Sequence, residues 1–364
     1  MTTSRETVSV GTPIIRPSRW SRRFTPVVAG ALALALAPAG VALASSGHAG
    51  SRASSTPLYF LSSEGYDSAM CTAFQKATGI TCKLSDNSTG PTLALIQATK
   101  GNPQWGVAWT DGAAPYAALD QEGLLLRHFE PTTGHLTALG KKLVPADGSY
   151  IPTGLTVSGA FMYNSKIVKN PPRTWAALLS PQWRGQVEMN NPAVDGPTYP
   201  MLAGLFQSLG GVAQGEKFME KLKANGLKVS SNNAFPDLQA GKVKIVLGQN
   251  TDGIGAFDQG QSLGVVYPKP SPELPSTLAI DGKASKAEIA VAKKFADFVY
   301  SPAGQAVMRT GDPSGDSNFF PIISGTAPRP HVPAVSSVPF IFYNPYTWGA
   351  LEPSINTWFS THIA

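Results

Sequence analysis

The 364-residue chain is 42% hydrophobic and only 14% charged, with 36 Gly, 31 Pro and two Cys. This excludes a mainly disordered chain and a disulfide-rich miniprotein, and the length suits about two ordinary domains. The formal charge of +6 gathers in residues 1–44, where five arginines oppose Glu6; the other 320 residues sum to +2, too little for a nucleic-acid partner or an anionic membrane surface.

Residues 1–44 read as an export signal. Arg16, Arg19, Arg22 and Arg23 form its positive region, 27–37 its apolar run, and Ala42-Leu43-Ala44 a small-x-small cleavage site before Ser45. The run is too short for a comfortable membrane span, which takes about 20 residues; an uncleaved anchor over 27–44 is the alternative. Ser21-Arg22-Arg23-Phe24 loosely matches a twin-arginine signal, but Thr25-Pro26 departs from that pattern and general secretion is the blander route. The mature chain is expected outside the cytoplasmic membrane, behind a small-residue tether over 45–56.

The predicted elements then alternate. A strand at 58–61 leads to a helix at 67–77, stopped by Thr78-Gly79, and to a strand at 80–84. In an oxidising compartment Cys71 and Cys82 are expected to pair, tying this helix to the strand for about 3 kcal/mol at most. A metal or redox pair is the other reading, with no nearby His to support it. A helix at 93–99, a strand at 107–109 and a helix at 113–121 follow. The alternation predicts an α/β fold with a mostly parallel sheet covered on both faces, whose ligands bind beyond the carboxyl ends of the strands.

A second α/β unit is expected after 150–154. It holds a short helix at 175–179, a strand at 186–189 and an amphipathic helix at 199–209. A further helix buries Phe218 and Leu222, a short one covers 235–240, and 243–248 is a buried strand. Strands at 263–267 and 277–280 precede a strong helix at 287–300, with Val291, Phe295, Phe298 and Val299 on one side. A shorter helix at 302–309 opens on Pro302, where a missing N–H is harmless. Residues 321–345 are turn-rich, and a helix at 354–359 closes the chain, its neighbouring aromatics expected to pack onto a lobe.

No catalytic spacing is present: no Gly-x-Ser-x-Gly elbow, no phosphate loop and no His-Glu-x-x-His. The five His are scattered. No catalytic residue, metal or cofactor is therefore expected. Small polar loops instead recur between a strand and a helix: Ser62-Ser63-Glu64-Gly65-Tyr66, Ser88-Thr89-Gly90-Pro91, Thr110-Asp111-Gly112 and Asp195-Gly196-Pro197-Thr198. Each is an N-cap at least, and the free N–H groups and hydroxyls also make anion sites. Tyr66, Trp109 and Tyr199 border these loops, as core rings or as rings gripping a ligand. Glu64, Asp111 and Asp252 are candidate partners for a ligand amine.

Specific runs carry a resemblance. Met162-Tyr163-Asn164-Ser165 is followed by Pro172-Arg173-Thr174-Trp175, then by Ser180-Pro181-Gln182-Trp183-Arg184-Gly185-Gln186-Val187 and Asn191-Pro192. Later come Ala292-Lys293-Lys294-Phe295-Ala296-Asp297-Phe298 and Ser301-Pro302-Ala303-Gly304-Gln305. Over about residues 57–325 the chain resembles the extracellular solute-binding proteins of ABC importers, in the branch with ferric-iron, phosphonate and polyamine binders. The resemblance implies a two-lobed type II periplasmic-binding-protein fold with a hinge between lobes. The first lobe would span 57–152 plus 276–364 and the second 153–275.

It further implies ligand contacts from Ser62, Ser63, Glu64, Tyr66, Ser88, Thr89, Gly90, Trp109, Thr110, Asp111, Asn191, Asp195, Gly196, Thr198, Tyr199, Asn250 and Asp252. The implied solute is small, polar and anionic or zwitterionic, like a phosphonate, with a polyamine as the alternative. The implied partners are that solute and the membrane permease, with the protein itself a monomer. Ferric iron is disfavoured, because 248–257 lacks the tyrosines of phenolate-using members and offers only Asp252 as an anionic oxygen ligand. A secreted lyase or dehydratase on the same fold is the rival of another class, with Glu64 and Asp111 as its acid and base.

Overall fold

A computed structural model describes residues 56–100 and 102–364; the expected export signal and nearly all of the tether lie outside them. β1 (Leu58–Ser62) runs into α1 (Asp67–Thr78), which ends on Gly79 in the left-handed conformation. β2 (Cys82–Asp86) sits two residues later than the apolar pattern predicts, because Ile80 plugs the core before the strand begins and the strand itself is a half-exposed edge. Cys71 and Cys82 are bonded, with Cα atoms 5.6 Å apart and a sequence separation of 11. Replacing Cys82 by Ser is expected to cost about 3 kcal/mol by the loop-closure relation, read as a lower denaturant midpoint under non-reducing conditions.

α2 (Thr89–Thr99), β3 (Val107–Asp111), α3 (Ala114–Gln121) and the short α4 (Ala138–Lys141) follow. β4 (Ile151–Val157) turns at Ser158-Gly159 into β5 (Ala160–Asn164). The 175–179 helix is a 3-10 segment anchored by Trp175. β6 (Val187–Asn190), α5 (Thr198–Leu209), α6 (Val212–Ala224), β7 (Lys228–Ser230), α7 (Phe235–Gln239) and β8 (Ile245–Gly248) come next. α8 (Asn250–Asp258) then occupies the predicted loop 249–252 and runs on from it.

β9 (Leu263–Val266) leads to β10 (Ser271–Ile280), ten residues that are all buried. α9 (Lys286–Tyr300) starts with a full capping box between Ser285 and Glu288, a device worth about 1 kcal/mol. α10 (Pro302–Gly311), β11 (Phe340–Ile341) and α11 (Pro345–His362) complete the chain.

The strands form two sheets. In the first the order is β11-β10-β3-β1-β2, with β4 also on β10. β1 is parallel to β2 and β3, whereas β10 is antiparallel to β3 and β4. In the second the order is β7-β6-β8-β5-β9, with β6 parallel to its neighbours and β5 antiparallel to its own. The chain passes from the first sheet to the second after β4 and returns through β10.

Each sheet has its own core. Phe60, Phe74, Trp109, Phe295 and Met308 pack under the first, while Phe161, Trp175, Met189, Leu202 and Phe206 pack under the second. Tyr343, Trp348, Ile355 and Phe359 join the second core, Tyr346 packs against the cluster around α3 of the first, and α11 lies along α3.

Candidate functional site

The loops after β1 and β3 and the N-termini of α2, α5 and α8 face one another between the sheets. A sixth participant is the 312–316 loop after α10. Its Asp316 accepts from the Gly65 amide at 2.6 Å and its Asp312 accepts from the Asp316 amide at 2.9 Å. Gln249, just before α8, reaches Asp316 at 3.5 Å and Thr156 at 3.3 Å.

The dominant feature is a gathering of carboxylates. Glu64 is 1% exposed and accepts from the Ser276 hydroxyl at 3.1 Å. Burial, and then Asp316, pushes its pKa up to about 8. Asp252, in the first turn of α8, is pushed up to about 8 by burial and then Asp316, and Asp316 itself to about 7 by burial and then Asp312. Asp111 is raised by burial and then by Glu64, Asp316, Asp195 and Asp252. It is 8% exposed, and its Oδ1 has no hydrogen-bond partner. Asp195 is raised by burial, against the Thr198 hydroxyl that donates to it. Like charges this close favour either protons or a bound cation.

The other expected residues take different places. Ser62, Ser63, Thr89, Gly90, Gly196 and Thr198 line or brace the space. Ser62 Oγ accepts from the Glu64 amide at 3.1 Å, and Thr89 Oγ1 donates to Ser63 Oγ at 3.1 Å. Ser88 is exposed at the α2 N-cap. Asn191 closes its own turn by accepting from the Ala193 amide at 2.9 Å, and Asn250 accepts from the Val157 amide at 2.7 Å, so both build structure around the cleft.

Tyr66, Trp109 and Thr110 sit in the core beside the site. Tyr66 and Trp109 are fully buried, with ring centroids 5.2 Å apart, and the Trp109 indole donates to Thr153 at 3.0 Å. Neither ring is exposed in this structure. Thr110 is buried and bonded to Tyr116 at 3.1 Å. Alternation along β3 turns Trp109 into the core, a choice that the all-buried strand VAWTD does not announce. Tyr199 lines the space with its ring, while its hydroxyl donates to the Trp348 carbonyl.

Asp316, Ser276, Glu352 and Asn356 escape the sequence reading. Only the acidic turn Gly311-Asp312-Pro313-Ser314-Gly315-Asp316 hints at the first.

The remaining open space is about 90 Å³, room for a few waters. Thr89, Gly90 and Leu93 of α2 form one side, and Asp111, Ala114 and Pro115 the next. Residues 192–196 with Tyr199 and Pro200 lie opposite, and Glu352 and Asn356 of α11 close it. No Lys, Arg or His is among these lining residues. Among the described residues no group of three or more His, Cys, Asp or Glu side chains is placed to hold a metal ion.

The profile of the family described as "Bacterial extracellular solute-binding protein" matches residues 69–334. A putative 2-aminoethylphosphonate-binding periplasmic protein of Salmonella typhimurium is 26% identical over 212 residues, 57% of this chain. The chain spans about 60% of the length of the curated relatives it matches. AfuA from Actinobacillus pleuropneumoniae, solved with fructose-6-phosphate, superposes with a TM-score of 0.71 at 20% identity over 85% of this chain and 99% of that one. Iron-bound HitA from Pseudomonas aeruginosa gives 0.69 at 20% identity over 83% and 98%. The two sheets linked through β4 and β10 are thus the two-lobed fold of type II periplasmic binding proteins, and the chain belongs to the family of bacterial extracellular solute-binding proteins.

Proposed function

We propose that the protein is the solute-capturing component of an ABC importer. It works as a monomer outside the cytoplasmic membrane, closing its lobes on a small zwitterionic solute and handing it to the permease. The solute carries an ammonium group for the carboxylates and a polar anionic end for the amides and hydroxyls at the N-terminus of α2. The carrying observation is the convergence of Glu64, Asp111, Asp195, Asp252 and Asp316, with no basic side chain lining the remaining space. Of the anionic and zwitterionic options, this gathering favours the zwitterion. The phosphonate named for the Salmonella relatives has that chemistry. A polyamine meets the same carboxylates and is the second reading. No covalent step is assigned.

A melting screen with 2-aminoethylphosphonate, putrescine, ethylphosphonate and Fe(III) tests this. A probe at about 100 times its Kd adds roughly 2.7 kcal/mol, or about 5 °C for a chain of this size. The amine-bearing probes are expected to shift the melt. A shift by ethylphosphonate or Fe(III) alone refutes the reading.

A further inference from the structure

Helix α11 lies beyond the segment that the family profile matches, which ends at residue 334. It is nevertheless wedged against both lobes. On the first-lobe side the backbone of Gly349 comes so near α3 that a Cβ there would sit 2.8 Å from the Ala114 carbonyl, and the Tyr346 hydroxyl donates to Asp120 at 2.9 Å. On the second-lobe side the Trp348 carbonyl accepts from the Tyr199 hydroxyl, and its indole donates to Gln207 at 3.0 Å. These contacts fix where the following turns of the helix point.

Glu352 and Asn356 stand four residues apart, on one face of that helix, and both open on the cavity that Asp111 and Asp195 also line. Two polar atoms there are buried without a hydrogen-bond partner: Asp111 Oδ1 and Asn356 Oδ1. Asp111 and Asp195 are 8% and 6% exposed, so these carboxylates are largely removed from water. Leu93, Ala114 and Pro200 supply apolar wall beside them. Acids on three distant stretches line this one small cavity together with an orphan amide oxygen and a patch of hydrocarbon, a lining suited to an alkylammonium and its carbon stem. A bare metal ion matches less well, because no three acidic side chains among the described residues are placed to share one.

We infer that α11 is a third wall of the solute site, and that Glu352 and Asn356, with Asp111 and Asp195, seat the alkylammonium end of the solute. This rests on the ammonium-bearing solute proposed above. α11 thereby acts as a specificity element of the cleft between the lobes.

Calorimetric titration of the full chain with 2-aminoethylphosphonate, putrescine and ethylphosphonate tests it. Glu352→Gln is expected to weaken both amines about tenfold or more, the usual loss for a hydrogen bond to a charged group, and to leave the ethylphosphonate titration unchanged. Glu352→Asp is expected to recover part of the loss. If Asp111→Asn loses the amines while Glu352→Gln keeps them, the role of α11 is overturned and the cleft reading stands. If neither substitution affects amine binding, or wild type takes only ethylphosphonate, the cleft reading falls and this inference with it. Should Glu352→Gln melt much lower than wild type, Asn356→Ala reads the same wall: weaker amine binding supports it, and unchanged binding overturns it.

Discussion

Replacing Glu64 by Gln is expected to raise the melting temperature of the solute-free chain at pH 8, leave it nearly unchanged at pH 5, and cut amine affinity about 100-fold. The sign follows from linkage. Glu64 has its usual value of 4.5 when unfolded and is pushed up to about 8 in the folded chain by burial and then by Asp316. Asp316 and Ser276 lie on the same side of the cleft as Glu64, so the shift does not depend on the lobes meeting. Between those values the folded chain holds a proton that the unfolded chain has released, so stability falls as pH rises through the window. Below 4.5 both states are protonated and nothing is lost. A shift of this size is worth of order 4 kcal/mol at its upper end, or roughly 5–10 °C.

The amide of the Glu64→Gln variant would retain the shape and the Ser276 contact without the charge. Asp252 and Asp316 shift in the same direction, as does Glu273 beneath Tyr343, so a smaller pH slope persists in the variant. A cationic solute replaces the protons, which is why the substitution that steadies the empty protein also empties the site. Melting curves from pH 5 to 8.5, with and without putrescine, read both effects. A wild-type melt that climbs with pH, or a variant that melts lower at pH 8, defeats this account of the carboxylates.

Much of this fold is legible in the residues because burial and periodicity agree there. Helix 287–300 and α9 differ by one residue at the start, since Val291, Phe295 and Val299 recur on one face and Ser285 caps it. Where tertiary contacts decide, the pattern fails. α8 carries Gly253 and Gly255, poor helix formers. They are there because a Cβ on Gly255 would lie 2.0 Å from the Ser314 carbonyl and one on Gly253 would lie 2.5 Å from Val265. α11 begins nine residues before the expected start at 354 because Asn344 caps it and Pro345 opens it, while Pro353 in mid-helix disguises its length.

The site divides in the same way. Glu64, Asp111 and Asp252 are readable as acids at strand ends or helix starts. Asp316 and Glu352 are not, because nothing local signals that Asp316 lies against an amide 251 positions away. Trp109 shows the complementary failure: an aromatic beside a loop is ambiguous until the strand's facing is known.

Gly196→Val is expected to lower solute affinity about 100-fold or more while leaving the empty chain's melting temperature within about 2 °C. Gly196 belongs to the second-sheet side of the cleft and Thr89 to α2 on the other. A Cβ on Gly196 would lie 2.6 Å from both Thr89 Cβ and Thr89 Oγ1, closer than real Cβ atoms approach. Thr89 has little room to retreat, being 8% exposed and bonded to Ser63 at 3.1 Å. Valine therefore penalises only the state in which the lobes meet, and the affinity of a solute that needs that state falls in proportion to its lost population. Small-angle scattering should show wild type contracting on saturation with solute and the variant contracting less. Thr89→Gly in the Gly196→Ala background removes the Thr89 Cβ, Oγ1 and methyl that crowd this position and should return part of the affinity, whereas a lesion elsewhere in the cleft would not respond. If Gly196→Val instead melts many degrees lower with no solute present, the Gly196–Thr89 contact is a permanent piece of the core and the lobes do not part there.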